Sequence, residues 1–366
     1  MSAVAAPAHP LTFMTDLLFT RRRWLGQAMA ALASSALVPG HAQTTTIAAR
    51  IGQIPDATKL RRVFAAGPPA GVLVATLAPH KLLGWPQQLD DVSRAYLGPT
   101  LQALPHLGRL SGRGSTMPLE SLLKLQPDLV LDAGTADATY ISATERLARQ
   151  TGLPCVLIQG SLADQPRQLR EVGALLGEAA RGETLARHAD AVAALAQRAT
   201  KGMAPAERPR VYFARSANGL ETGLAGSINV EAVEYAGGRN VAADAGHGGL
   251  TRVSMEQILA WDPQVIVTQE PGLAERMRQD PLWRGVAAVR SGRVHGAPVW
   301  PFGWLDGPPG VNRLIGVRWL LEKLHPQAPD LQGLPPLERE VRDFYRLFYG
   351  ADLSPAALGR LMETAR

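Results

Sequence analysis

"GSTMPLESLLKLQPDLVLDAG", residues 114–134, and "GLTRVSMEQILAWDPQVIVTQEP", residues 249–271, spell the same unit in opposite halves of the chain. Glu256 and Pro263 stand where Glu120 and Pro127 stand in the first stretch: 256 − 120 = 136 and 263 − 127 = 136. In the first copy Pro118 suits the opening turn of a helix, and Glu120 sits where the positive end of the helix dipole favours a carboxylate. Leu119, Leu122, Leu123 and Leu125 give an apolar face at helical spacing, and Pro127 stops the helix. Leu129 to Asp132 then read as a short buried strand of the parallel-sheet kind, closed by Gly134. In the second copy Ser254 and Gln257 have the spacing of a capping box, Met255, Ile258 and Leu259 supply the face, and Val265 to Val267 the strand. Any α/β protein holds several helix-Pro-strand units, so one such match alone is chance. Matching neighbours in opposite halves make it a duplication.

Size and composition narrow the class. At 366 residues the chain can build two domains, and 19% charged residues with 36 Gly and 28 Pro suit a loop-punctuated α/β protein. A formal charge of +6, with arginines scattered, does not make a nucleic-acid groove. The one basic run opens "TRRRWLGQAMAALASSALVPGHAQ", residues 20–43, whose uncharged stretch to Gly40 is short for a membrane span and suits a secretory h-region. Gly40-His41-Ala42 suits a small-residue cleavage site, and with its paired arginines the stretch resembles a twin-arginine export signal, expected over residues 1–42. The lone Cys155, in "LPCVLI", does not follow that site, so no lipid is attached there, and it reads as an apolar filler. The mature chain is therefore expected in the periplasm, soluble and not a lipoprotein.

Along the mature chain, "IAARIGQIPDATKLRRVFAAGPP" predicts a small hairpin and then a strand over 62–66. Val72 to Ala78 is ambiguous by periodicity and is read as a helix, with Lys81 to Trp85 as the next strand. A helix from about Asp137 to Gln150 and a strand from Pro154 to Gln159 follow, a rhythm that means parallel strands with crossover helices. From Glu183 to Lys201 there is no Gly or Pro. That segment is either one more surface helix or a stiff bar, and its place between the repeats favours the bar. Arg210 to Ala214 restarts the pattern as a strand, Val230 to Ala236 is a helix, and Val311 to Leu324 and Glu338 to Phe348 are the last helices.

These features together resemble a known family, the helix-linked, two-lobed substrate-binding proteins of bacterial importers for ferric siderophores, haem and vitamin B12. The resemblance rests on "IAARIGQIPDATKLRRV", the Glu-to-Pro units at 120 and 256, the mid-chain helix and "DPLWRGVAAVRSGRVHGAP". It implies two similar α/β lobes, each a mainly parallel sheet flanked by helices, joined by one long helix: lobes at 43–178 and 202–366 and a linking helix at 179–201. It also implies that Glu120 and Glu256 dock on arginines of an inner-membrane permease dimer; decoration of a helix N-terminus is the other reading of both. A monomer with a small-molecule cargo, a metal chelate of the ferric siderophore type, is expected, with no nucleic acid, no cofactor and no resident metal. Cobalamin, haem or an oxyanion such as molybdate are the alternatives.

Ligands of such sheets lie beyond the carboxyl ends of the strands. That geometry gives Pro68, Trp85, Arg113 and Tyr140 from the first lobe and Arg215, Asn218, His247 and Glu270 from the second. The loop "WPFGWLDG" adds Trp300, Phe302 and Trp304. Those rings suit the face of a chelate or equally a hydrophobic plug, and Arg113 and Arg215 suit an anionic ligand or equally solvent. An exported two-lobed enzyme and a sensor or adhesion module are the rival classes. No G-x-S-x-G elbow, phosphate loop or HExxH site is present to support the enzyme.

Overall fold

The computed structural model describes residues 45–112 and 114–365, so the export-signal stretch and Arg113 lie outside the described residues. Thr44–Arg366 forms one compact unit. Ten strands are formed among the described residues: β1 (Ile47–Ile51), β2 (Val63–Ala65), β3 (Leu129–Gly134), β4 (Cys155–Gln159), β5 (Arg210–Ala214), β6 (Glu221–Gly223), β7 (Arg239–Asn240), β8 (Leu250–Arg252), β9 (Val265–Thr268) and β10 (Val294–Gly296). One sheet runs β1-β4-β3-β2 and a second runs β10-β9-β5-β7, with β6 and β8 pairing separately. All pairs are parallel in the first sheet except β1 with β4, and all are parallel in the second. The strand of each repeat copy, β3 or β9, lies inside its own sheet. These strands read as continuous apolar runs because helices cover both faces.

The α/β, two-lobed expectation holds, and local chemistry explains its units. Asp137 caps the helix Ala138–Thr151 by accepting from Thr139 N and Tyr140 N at 2.9 and 3.1 Å. Ser254 and Gln257 close a reciprocal capping box at the start of Met255–Trp261. Two expectations fail. The opening segment makes no hairpin: β1 instead pairs antiparallel with β4, far along the chain. Lys81 to Trp85 is not a strand, because Leu82 bridges only Val63 and Trp85 only His106. A short apolar run cannot tell the two outcomes apart. A further helix, Pro355–Ala365, was not anticipated.

The long helix spans Ala179–Ala199. Near its start it lies against Gln165–Leu175, where a Cβ on Gly182 would sit 2.6 Å from the Leu169 carbonyl oxygen, so only glycine permits that approach. Arg170 binds Glu183 and Asp190 there, both at 2.7 Å, and Arg198 at the far end pairs with Asp330 of the second half at 3.4 Å. The C-terminal helices return to the first half. Gly98 N donates to Tyr349 O at 2.9 Å, and Tyr96 Oη donates to Ala357 O at 3.2 Å. One apolar core accordingly runs through both halves, from Val72 and Leu73 to Trp304 and Phe348, with a smaller core inside each.

Candidate functional site: a cleft between the two sheets

Parallel strands aim their carboxyl ends at one side of a sheet, and both sheets place theirs on the same cavity. Its volume is about 590 Å³. From the first half, Pro68 and Pro69 reach it at the start of the helix that follows β2, and Asp132, Gly134 and Thr135 at the end of β3. Gln87, Gln88, Leu89, Ser93, Arg109, Ser111 and Tyr140 also line that wall. The second half supplies Arg215 just after β5, Asn229, and the loop carrying Phe302, Asp306 and Pro308.

The two walls differ in how tightly their polar groups are tied. On the first, Ser111 Oγ and Ala133 N both donate to Asp132 Oδ1 at 2.9 Å. Burial raises the Asp132 pKa above the ordinary carboxylate value, and those two donors oppose the rise. Thr135, Ser93 and Tyr140 present hydroxyls. On the second wall, Arg215 pairs with Asp306, and its Nε lies 3.4 Å from Glu221 Oε1. Asn229 Nδ2 donates to Asp306 Oδ2 at 2.9 Å. Gln269 holds the loop behind them: its Oε1 accepts from Leu305 N and Asp306 N at 2.5 and 2.9 Å, and its Nε2 donates to Asp306 O at 2.8 Å.

Of the residues expected at the ligand, Pro68, Tyr140, Arg215 and Phe302 line this cavity together. Arg215 does so as a compensated charge, with carboxylates of its own wall on its guanidinium. Trp85 and Trp304 do not reach the cavity lining; both are fully buried. Trp85 packs on Phe302 with ring centroids 5.6 Å apart and donates from Nε1 to Leu101 O at 3.0 Å, while Trp304 donates to Tyr345 Oη at 3.0 Å. A methyl group on Gly316 would collide with the Trp304 carbonyl, so that helix presses directly on the loop. Trp300 stacks on Tyr96 at 6.1 Å, and its carbonyl accepts from Tyr345 Oη. In "WPFGWLDG" the plug reading therefore describes both tryptophans.

Asn218 is folded into its own turn, accepting from Ser216 Oγ and Leu220 N. Glu270 accepts from Ser216 N at 3.1 Å and borders an adjoining depression of about 210 Å³ that shares Arg215, Asp306 and Gly307 with the cavity. His247 is exposed beside Gly226, away from the cavity lining. Glu120 and Glu256 are exposed on their repeat helices. Arg109, Ser111, Asp132, Asn229 and Asp306 were missed from sequence. Two signals pointed near them, the Gly-rich loop "GRLSGRGS" and the one acidic residue inside the strand "LVLDAG".

Against this geometry the likenesses to known proteins can be set. The model of the family described as "Periplasmic binding protein" matches residues 98–298. The molybdate-binding protein MolA of Haemophilus influenzae is 26% identical over 298 residues, 75% of this chain and 80% of that protein. Among solved structures, an ABC transporter solute binding protein from Sulfurospirillum deleyianum superposes with a TM-score of 0.75 at 26% identity, covering 83% of this chain and 94% of that one. MolA bound to molybdate superposes with a TM-score of 0.64 at 25% identity, covering 83% and 96%.

Proposed function

Since this chain belongs to the periplasmic binding protein family, solute receptors of ABC transporters rather than enzymes, we propose that its cleft captures a small metal oxyanion of the molybdate type and delivers it to an inner-membrane permease. The observation that carries the choice is the character of the lining. Hydroxyls, amides and Arg109 line the cavity among prolines, Phe302 and Tyr140, whereas the larger flat faces of Trp304, buried in the core, and of Trp300, half-buried on Tyr96, do not line it. The ligand named for the Haemophilus relative supports the same class. Residues 1–42 act in this reading as a twin-arginine export signal. Among the described residues no helix is long and apolar enough to cross a membrane.

A second reading is favoured by one observation, the cavity's volume of about 590 Å³, which is large for a four-oxygen anion and would admit a ferric siderophore-like chelate. Calorimetric titration with molybdate, tungstate, sulfate, ferric siderophores, haem and cobalamin decides between the two. Saturable binding of molybdate or tungstate is expected, weakened by Arg109→Ala by roughly 10- to 100-fold, the worth of one charge-assisted hydrogen bond. Heat from a ferric chelate and none from any oxyanion would transfer the cleft to the second reading. In both readings Glu120 and Glu256 dock the loaded protein on the permease.

A further inference from the structure

Both repeat helices leave a leucine partly in solvent. Leu123 is 43% exposed and Leu259 41%, and among the described residues only Val92, Tyr140 and Leu282 are other large hydrophobic side chains counted as exposed. Their spacing is that of the repeat, 259 − 123 = 136. The residue before each, Leu122 or Ile258, is fully buried and fastens its helix to the lobe. One step further round a helix is about 100°, so the next side chain is carried off the packed side. Glu120 and Glu256 stand three residues earlier, on the same face, and both are exposed. Each lobe thus offers the same pair, a carboxylate and a leucine one turn apart.

A single exposed leucine needs no explanation. Two at equivalent positions, each beside an equivalent glutamate, do. The buried and half-buried positions of the two helices keep only their apolar character, Leu119 corresponding to Met255 and Leu122 to Ile258, and the exposed Lys124 corresponds to Ala260, whereas the glutamate and the exposed leucine are identical in both copies. We propose that Leu123 and Leu259 are the apolar anchors of a two-point contact with the permease. The partner that fits is a surface repeated by a two-fold axis, each half offering a cation next to an apolar hollow. The inference rests on the permease-delivery reading above. In such a contact the carboxylates steer the encounter and the leucines, once desolvated, set its lifetime.

The test uses the full exported chain and the permease of its own importer in nanodiscs, with association followed by surface plasmon resonance. Leu123→Ser with Leu259→Ser is expected to raise Kd by about tenfold or more, chiefly through faster dissociation that salt hardly changes, with ligand titration unaltered. Glu120→Ala with Glu256→Ala is expected to slow association in a salt-dependent way and to abolish uptake. If the glutamate variant loses the permease and the leucine variant keeps it within twofold, the anchor inference is wrong and the delivery reading stands. If the wild-type protein fails to associate at all, both fall. Serine at exposed positions leaves the core untouched, and an unchanged melting curve verifies that.

Discussion

In the first half Asp128 accepts the backbone N–H groups of Arg61 and Arg62 at 2.7 and 2.8 Å; in the second, Gln264 accepts that of Arg210 at 3.0 Å. These acceptors are one repeat apart, 264 − 128 = 136. The arginines repeat the relation from the other side. Arg62 donates to the carbonyls of Leu125 and Gln126, and Arg210 to that of Asp262. Gln126 and Asp262, each just before the proline, hold left-handed backbone with φ of 45° and 40°. Yet 210 − 62 = 148, so the arginines do not share the offset of the units they clasp. The likeness is one of paired strands in space, made from segments that the linear repeat does not align.

The halves part company where function begins. The first sheet is edged by the antiparallel β1 and the second by the parallel β7. The first wall of the cleft carries hydroxyls and a buried carboxyl, while the second is tied into the Arg215, Asn229 and Asp306 network. The second half also sends a buried charged strut back to its partner. Arg313, wholly inaccessible, donates to Glu231 Oε2 and to Gly160 O, both at 2.7 Å, and Glu231 accepts Ser161 Oγ and Leu162 N at 3.0 and 2.9 Å. What is duplicated is scaffold; what is single is the joint and the binding surface.

The asymmetry at Arg313 should give the largest effect. Arg313→Ala strands Glu231 and the Gly160 carbonyl, and chemical denaturation should register a loss of roughly 3–5 kcal/mol. A loss below about 1 kcal/mol would mean that the joint does not depend on this strut. Next come the equivalent acceptors. Asp128→Ala removes a charged group serving two N–H donors and should cost about 2 kcal/mol, against about 1 kcal/mol for the neutral, singly bonded Gln264→Ala. Equal costs would show that net charge at this corner does not matter. The smallest effect separates the left-handed pair. Gln126→Gly relieves the backbone and should gain up to about 1 kcal/mol. Asp262→Gly should come out near zero on the same thermal-melt measurement, because Asp262 Oδ1 also accepts Ala287 N at 2.7 Å and that bond is lost.

The helix-Pro-strand units, the capping box at Ser254 and the helix from Ala138 were legible because each is settled by residues a few positions apart. The cleft was legible only in outline. Trp85 was a candidate from its place beyond the strand ends, and Trp300 and Trp304 because rings on a loop with glycine and proline look awkward to bury. Tyr96, Leu101 and Tyr345, from distant parts of the chain, give them ring and hydrogen-bond partners that no local pattern announces. Asp132 was hidden for the opposite reason, standing inside an apolar strand whose last turn opens onto the cavity.

By itself, then, the sequence determined that two α/β lobes of one pattern follow each other with a helix between them, since periodicity, prolines and caps act over a single turn or strand. Which edge β1 would take, which aromatics would turn inward and which polar groups would meet at the cleft were decided only by the tertiary structure. Those outcomes depend on desolvation and hydrogen bonding between groups on different elements of the chain, and burial is a property of the assembled core rather than of any segment.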